Sequence, residues 1–218
     1  MTNRQLYYSR LSNNSRRVWI ALLEKGLDFD LVPVQLSGEQ FKPEFLALNP
    51  FHHIPVLVDE GFRVLESVAI MDYLEAKYPA PSLLPQSPQD LAKVRMIQMV
   101  QLNELMPATL PLLRHMVGIP VDPPVLAATQ QQVQTVLAFY AAQLGEDYFV
   151  SGQFTVADIM AGIAVSVLTM FLTVSIADFP ELQAWLERVQ ARASFQQTQP
   201  TAAEVAAALP GIKKMLGG

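Results

Sequence analysis

Cysteine is absent from all 218 residues. That excludes disulfides, thiolate metal sites and a Cys-x-x-Cys redox pair, so any sulfur chemistry needs a sulfur from a ligand. Basic blocks are absent too. The net charge is −5 and no Lys/Arg cluster stands out, which argues against nucleic acid as a partner. No Gly-rich phosphate loop, Ser-His-Asp pattern or paired-carboxylate motif is found. Met1 is followed by polar residues rather than an apolar h-region, so no signal peptide is visible and a cytoplasmic location is expected. Charged residues make up only 16% of the chain and hydrophobic ones 51%, the balance of a globular protein with one or two cores.

Charge is also missing from Ile159 to Ala177, a run of 19 residues. Its length suits a membrane span. However, Asp158 and Asp178 bound it, no Lys/Arg bias or aromatic belt flanks it, and Ser166, Thr169, Thr173 and Ser175 interrupt it. A helix buried at the centre of an all-helical domain is the expected reading, with no membrane partner.

What is present divides at about residue 80. Before it, strand and helix patterns alternate: strand 4–8, helix 15–25, strand 29–34, short helix 43–48, a hairpin of 54–58 and 62–65, and helix 67–78. The order β-α-β-α-β-β-α predicts an α/β sandwich with a mixed sheet, thioredoxin-like, over residues 1–80. Residues 81–88 lie in a proline-rich linker. Residues 89–218 show only helical patterns and predict an all-α domain: a long helix from Ser87-Pro88 to about Val117, kinked at Pro107 and Pro111, then helices 125–144, 155 onward, 180–193 and 201–216. Ser87-x-x-Asp90 and Thr155-x-x-Asp158 are the helix-start signals. Met96, Met99, Met106 and Met116 read as core residues, some of them lining a pliable apolar pocket. His115 reads as structural or partly exposed.

The stretch Phe45 to Pro79 organises the first half. Pro55 has no N–H and holds Ile54 extended, so the Ile54 N–H and C=O can pair with an extended peptide as a sheet edge does. A cis bond there would bend the chain sharply. A dozen residues on, Glu66-Ser67 stands where a strand gives way to a helix. Unpaired N–H groups, a positive dipole end and a hydroxyl there suit a carboxylate, and Glu66 suits an amine. Adjacent His52 and His53 have no third ligand at useful spacing, and as successive extended residues they are expected to point to opposite sides, so no metal site is expected.

This arrangement resembles the glutathione-binding half of soluble, serine-type glutathione transferases of theta, delta and phi type, with a bacterial origin expected. The matching residues are Asn49-Pro50, His52-His53-Ile54-Pro55 and Glu66-Ser67 with Ala69-Ile70 behind, together with Ser12 to Val18 upstream. Gly38 to Phe45 resembles the delta class in particular, although Val68 stands where delta enzymes carry arginine. The match is close over about residues 4 to 80.

The resemblance implies glutathione as co-substrate, no metal, and a homodimer in which Phe51 inserts into the partner. It implies that Ser12 donates a hydrogen bond to the glutathione sulfur. Gln40 and either or both of His52 and His53 then serve the glycine carboxylate, Ile54 and Pro55 the peptide backbone, and Glu66 and Ser67 the γ-glutamyl end. Leu11 and Met106 are assigned to an apolar second-substrate pocket. Ser15, closer to the helix, is expected to be its N-cap. The implied reaction is conjugation of glutathione to small hydrophobic electrophiles. The alternatives are a glutathione-dependent peroxidase or isomerase, or a non-catalytic binding protein of the same fold.

Overall fold

A computed structural model describes residues 3–36 and 38–217; the Met1-Thr2 start, on which the leader reading rested, lies outside the described residues. The chain forms two compact units: residues 1–83 with 193–201, and residues 84–192 with 202–218.

In the first unit, β1 (Arg4–Tyr8), β2 (Asp30–Pro33), β3 (Val56–Asp59) and β4 (Phe62–Leu65) form one sheet in the order β2-β1-β3-β4. β1 runs parallel to β2 and antiparallel to β3, and β3 pairs with β4 as a hairpin. Helices α1 (Asn13–Glu24), α2 (Pro43–Leu46) and α3 (Ser67–Lys77) complete the α/β sandwich that the alternating pattern predicted. α3 buries Ser67, Ile70, Met71 and Leu74. On α1 every residue from Ser15 to Leu22 is buried, including Arg16 and Arg17. A third buried cation, Lys25, donates to Glu75 at 2.5 Å and to the Pro81 carbonyl at 2.8 Å, tying α1 to α3 and to the chain leaving it. At the far end of the sheet the Asp59 carboxylate is buried under Tyr73, Tyr78, Lys77 and Arg4, which lie at 2.8 to 3.3 Å.

Among the described residues of the second unit, helices are the regular elements, joined by loops that hold one isolated bridge, Val150–Gln153. The long helix is interrupted by a π turn at Gln101–Leu105, between α4 (Pro88–Val100) and α5 (Met106–Met116); Pro107 lies in the first turn of α5, and α5 continues through Pro111. Met96, Met99, Met106 and Met116 are exposed, not core. The core side of these helices is taken by Val94, Ile97, Leu105, Ala108 and Leu112. His115 is exposed.

α6 (Pro123–Gln143) and α7 (Val156–Met170) follow. α7 is the buried helix expected from the uncharged run, but it stops at Met170, and the remaining residues to Phe179 are loop. No described helix is long and apolar enough to cross a membrane. Asp158 begins α7 with the expected capping box and does more. Oδ2 accepts from the Thr155 N–H and hydroxyl, both at 2.9 Å, while Oδ1 accepts from Phe149 N–H at 3.2 Å and Trp185 Nε1–H at 2.9 Å. Burial pushes this carboxyl up despite its four donors. α8 (Pro180–Gln190) and α10 (Ala202–Met215) belong to this unit, whereas α9 (Ala193–Thr198) belongs to the first.

Candidate active site

The sheet register gathers the sequence motifs. Tyr7 pairs with Val56, and Val56 with Leu65, so the C-terminal end of β1, the N-terminal end of β3 and the C-terminal end of β4 are neighbours. Ser12 follows β1, Ile54-Pro55 precedes β3, and Glu66-Ser67 follows β4. The three motifs therefore leave one end of the sheet on three adjacent strands. With strands about 4.8 Å apart, they span roughly 10 Å, the length of about three extended residues. β2 is parallel to β1, so the segment carrying Gln40 leaves from the same end.

Ser12 is the N-cap of α1, which corrects the expectation for Ser15. Its Oγ accepts from Ser15 N–H at 3.2 Å. Ser15 lies inside the helix, fully buried, and its Oγ accepts from Ser9 N–H at 3.3 Å. Ser12 N–H in turn donates to the Ser9 carbonyl at 3.0 Å. These three bonds close a ring through Ser9, Ser12 and Ser15. The helix starts two residues earlier than the apolar pattern indicates because polar Asn13 and Asn14 occupy its first turn. The Ser12 oxygen is engaged as an acceptor, which leaves its hydrogen to donate outward.

The loop before β3 is built on Asn49, which is buried. Its Oδ1 accepts from Phe51 N–H at 3.0 Å and its Nδ2 donates to the His53 carbonyl at 2.7 Å. His52 sits at φ 51°, so the pair is not extended. The two rings meet edge to face at 5.2 Å rather than pointing to opposite sides, and His52 also packs on Phe41 at 4.9 Å. Both histidines are exposed, and no group of three metal-ligating side chains occurs among the described residues. The Ile54-Pro55 bond is cis. Ile54 packs with Val34, Phe45 and Val56. Gln40 is buried, with Oε1 accepting from Gly38 N–H and Nε2 donating to the Leu36 carbonyl, both at 3.1 Å. That leaves one amide hydrogen for a ligand.

Glu66 caps α3 at φ 64° with an exposed side chain that makes no bond to the helix end. Ser67 opens the helix, buried, and its Oγ accepts from Arg17 Nη1 at 3.5 Å. A buried guanidinium thus stands behind the helix end proposed for a carboxylate. Its neighbour Arg16 is buried with Gln199 Oε1 at 2.8 Å. Burial, with Arg10 nearby, pushes Arg16 down to about 10. Arg17 belongs to the Ser12 to Val18 motif, but the sequence assigns neither arginine a role; the signal available was two charges in an otherwise apolar helical stripe. Phe51 is 60% exposed and therefore does not pack within its own loop. Leu11 and Met106 are both exposed, Leu11 on the turn before α1 and Met106 at the start of α5.

Two family models match this chain, the N-terminal domain of glutathione S-transferase over residues 6–82 and the C-terminal domain over residues 100–193. Glutathione S-transferase 3 of Zea mays is 37% identical over 210 residues, covering 89% of this chain and 92% of the maize protein. The chain belongs to the glutathione S-transferase family. Within that family, the likeness to the maleylacetoacetate isomerase of Mus musculus is higher but shorter: 48% identity over 95 residues, 42% of this chain and 44% of the mouse protein. Among solved structures, a glutathione S-transferase of Methylobacterium radiotolerans in complex with glutathione sulfonate superposes with a TM-score of 0.76 at 30% identity, covering 91% of this chain and 95% of that one. The glutathione S-transferase fold accounts for both units, the thioredoxin-like sheet and the helical unit.

Proposed function

We propose that this glutathione S-transferase binds glutathione across the shared end of β1, β3 and β4 and activates its thiol with Ser12. The observation that carries the reading is the convergence of the Ser12 turn, Ile54-Pro55 and Glu66-Ser67 on three adjacent strands. The peptide portion pairs with the backbone at Ile54. The γ-glutamyl carboxylate meets the α3 N-terminus and the Ser67 hydroxyl, supported from behind by Arg17. Glu66 takes the amine, and Gln40, His52 and His53 supply donors for the glycine carboxylate.

A free thiol titrates near 8.5, so at neutral pH little is thiolate. The Ser12 hydroxyl stabilises S⁻ over S–H, and the α1 dipole adds to it. The thiolate then attacks the electrophilic carbon; the S–C bond forms as the leaving group departs with its electron pair. The proposed electrophiles are small and hydrophobic. A homodimer engaging the exposed Phe51, working in the cytoplasm, belongs to the same proposal.

Isothermal calorimetry with glutathione should give binding in the micromolar to millimolar range, and turnover of an aryl halide should require glutathione. No heat and no thermal shift at several millimolar glutathione would remove the reading. The likeness to the mouse isomerase favours a second reaction at the same site, glutathione-dependent cis–trans isomerisation of a maleyl-type dicarboxylic acid. Parallel assays with the aryl halide, a peroxide, an isothiocyanate and the maleyl substrate rank these activities.

A further inference from the structure

Residues 193–201 return to the first unit after the helices of the second, and they fasten to the turn that carries Ser12. Arg10 is one of the two central residues of the Ser9–Ser12 turn. Its Nη1 donates to the Gln197 carbonyl at 2.8 Å and reaches the Gln199 carbonyl at 3.4 Å. Its guanidinium lies over the Trp19 ring at 4.8 Å, and Trp19 is itself buried in α1. One turn of helix away from Trp19, Arg16 holds the Gln199 side chain at 2.8 Å. Ser194 donates to Glu24 at 2.5 Å, anchoring the start of the same segment to the other end of α1. The Ser9–Ser12 turn is thus fixed on one side by the three-serine ring and on the other by a strap from far along the chain.

The site as described needs Ser12 Oγ at one place. An electrostatic donor loses its effect steeply when displaced, and an error of about 1 Å can cost on the order of a hundredfold in rate. The ring alone is made of bonds at 3.0 to 3.3 Å among residues at most six apart. Such a local ring orders the turn internally but can move as one piece. The strap is the long-range constraint, joining residues 187 and 189 positions apart in the chain.

We propose that Arg10 and Gln199 are positioning residues for Ser12, and that the 197–199 segment is a strap that sets the activity of the thiolate site. This rests on the reading that Ser12 is the sulfur's donor. A purely structural strap would change stability and leave the thiol chemistry of the folded protein alone. A positioning strap changes the chemistry at temperatures where the fold is intact.

The test compares wild type, Arg10→Met, Arg10→Lys, Gln199→Ala, Ser12→Ala and the Arg10→Met/Ser12→Ala pair, all well below their melting temperatures. The readouts are thiolate absorbance of bound glutathione against pH, kcat, and KM for glutathione. Arg10→Met should raise the pH at which the bound thiol ionises and cut kcat about tenfold, with KM for glutathione changed less than about twofold. Arg10→Lys should recover part of the loss. In the Ser12→Ala background the Arg10 change should add almost nothing, because it acts through Ser12.

Should Arg10→Met fail to fold, Gln199→Ala removes only the amide that Arg16 holds, and it must shift the thiol titration in the same direction. Wild-type titration and kcat in Arg10→Met, or a full additional loss on top of Ser12→Ala, overturns the strap. A wild-type Ser12→Ala protein sinks the serine reading itself and the strap with it. A wild-type Arg10→Met beside an impaired Ser12→Ala sinks the strap alone.

Discussion

Replacing Ser12 by aspartate separates two jobs that its hydroxyl does at once. The oxygen caps α1 by accepting from Ser15 N–H at 3.2 Å, and the hydrogen is assigned to the glutathione sulfur. Alanine loses both. Loss of the cap costs about 1 kcal/mol, which for a chain of this size lowers Tm by about 2–4 °C. Loss of the donor cuts turnover by roughly ten- to a thousandfold. Aspartate caps as well as serine does, and its charge suits the helix dipole, so Tm should stay near wild type. It has no proton to give at neutral pH and brings a negative charge toward a developing thiolate, so activity should fall at least as far as in alanine. Asparagine caps and donates, and should retain part of the activity. The order of stability is then serine, asparagine and aspartate together above alanine, whereas the order of activity is serine, asparagine, alanine, aspartate. Ser15→Ala provides the contrast: it removes the acceptor of the partly buried Ser9 N–H, costs about 1 kcal/mol, and affects turnover less than Ser12→Ala. Thermal melts, thiolate absorbance against pH and kcat/KM report the two orders. An active Ser12→Asp, or a larger activity loss in Ser15→Ala than in Ser12→Ala, would refute the division of labour.

Two further outcomes are expected. Asp158→Asn replaces one of two acceptor oxygens with an NH2 group facing donors from Phe149, Thr155 or Trp185, and should cost about 2–6 kcal/mol in urea unfolding; a loss under about 1 kcal/mol would contradict the bonding described. Burial opposes ionisation of Asp59, but Tyr78, Lys77, Tyr73 and the Arg4 charge outweigh it and hold the carboxyl below its usual value. Its folded value is depressed, so the stabilisation is complete above the unfolded value near 4 and fades as pH falls through the folded one. Asp59→Asn should therefore be less stable than wild type at pH 7, with the gap closing in acid, as measured by melts across pH 2–7.

Elements with strong periodicity were readable directly. The hairpin around Asp59-Glu60-Gly61, the start of α4 at Ser87 and the capping box at Thr155 carry their signals within a few residues. What failed depended on residues distant in sequence or on competition between equivalent ones. Ser12 and Ser15 are both plausible caps locally; the choice is made by Ser9, which occupies the Ser15 hydroxyl. His52 and His53 read as extended neighbours, but the bond from Asn49 to the His53 carbonyl and the left-handed backbone at His52 bring their rings together. The methionines of α4 and α5 read as core because residue type says nothing about which face of a helix is covered. The attachment of 193–201 to the first unit had no local signal, since its partners Arg10 and Arg16 lie at the other end of the chain.

Asn49 has a consequence for how this surface can change. Its single buried amide fixes the course of residues 51 to 53, using only their backbone groups. Much of the shape of the loop is therefore set by a residue it does not display. Phe51 and His53 can be exchanged one at a time without renegotiating the backbone that presents them, whereas His52, at φ 51°, accepts few replacements. Changes at Asn49 carry the opposite signature: a substitution there touches no ligand directly, yet would shift every residue on display together. The displayed side chains can vary because much of the conformation is decided at a hidden position.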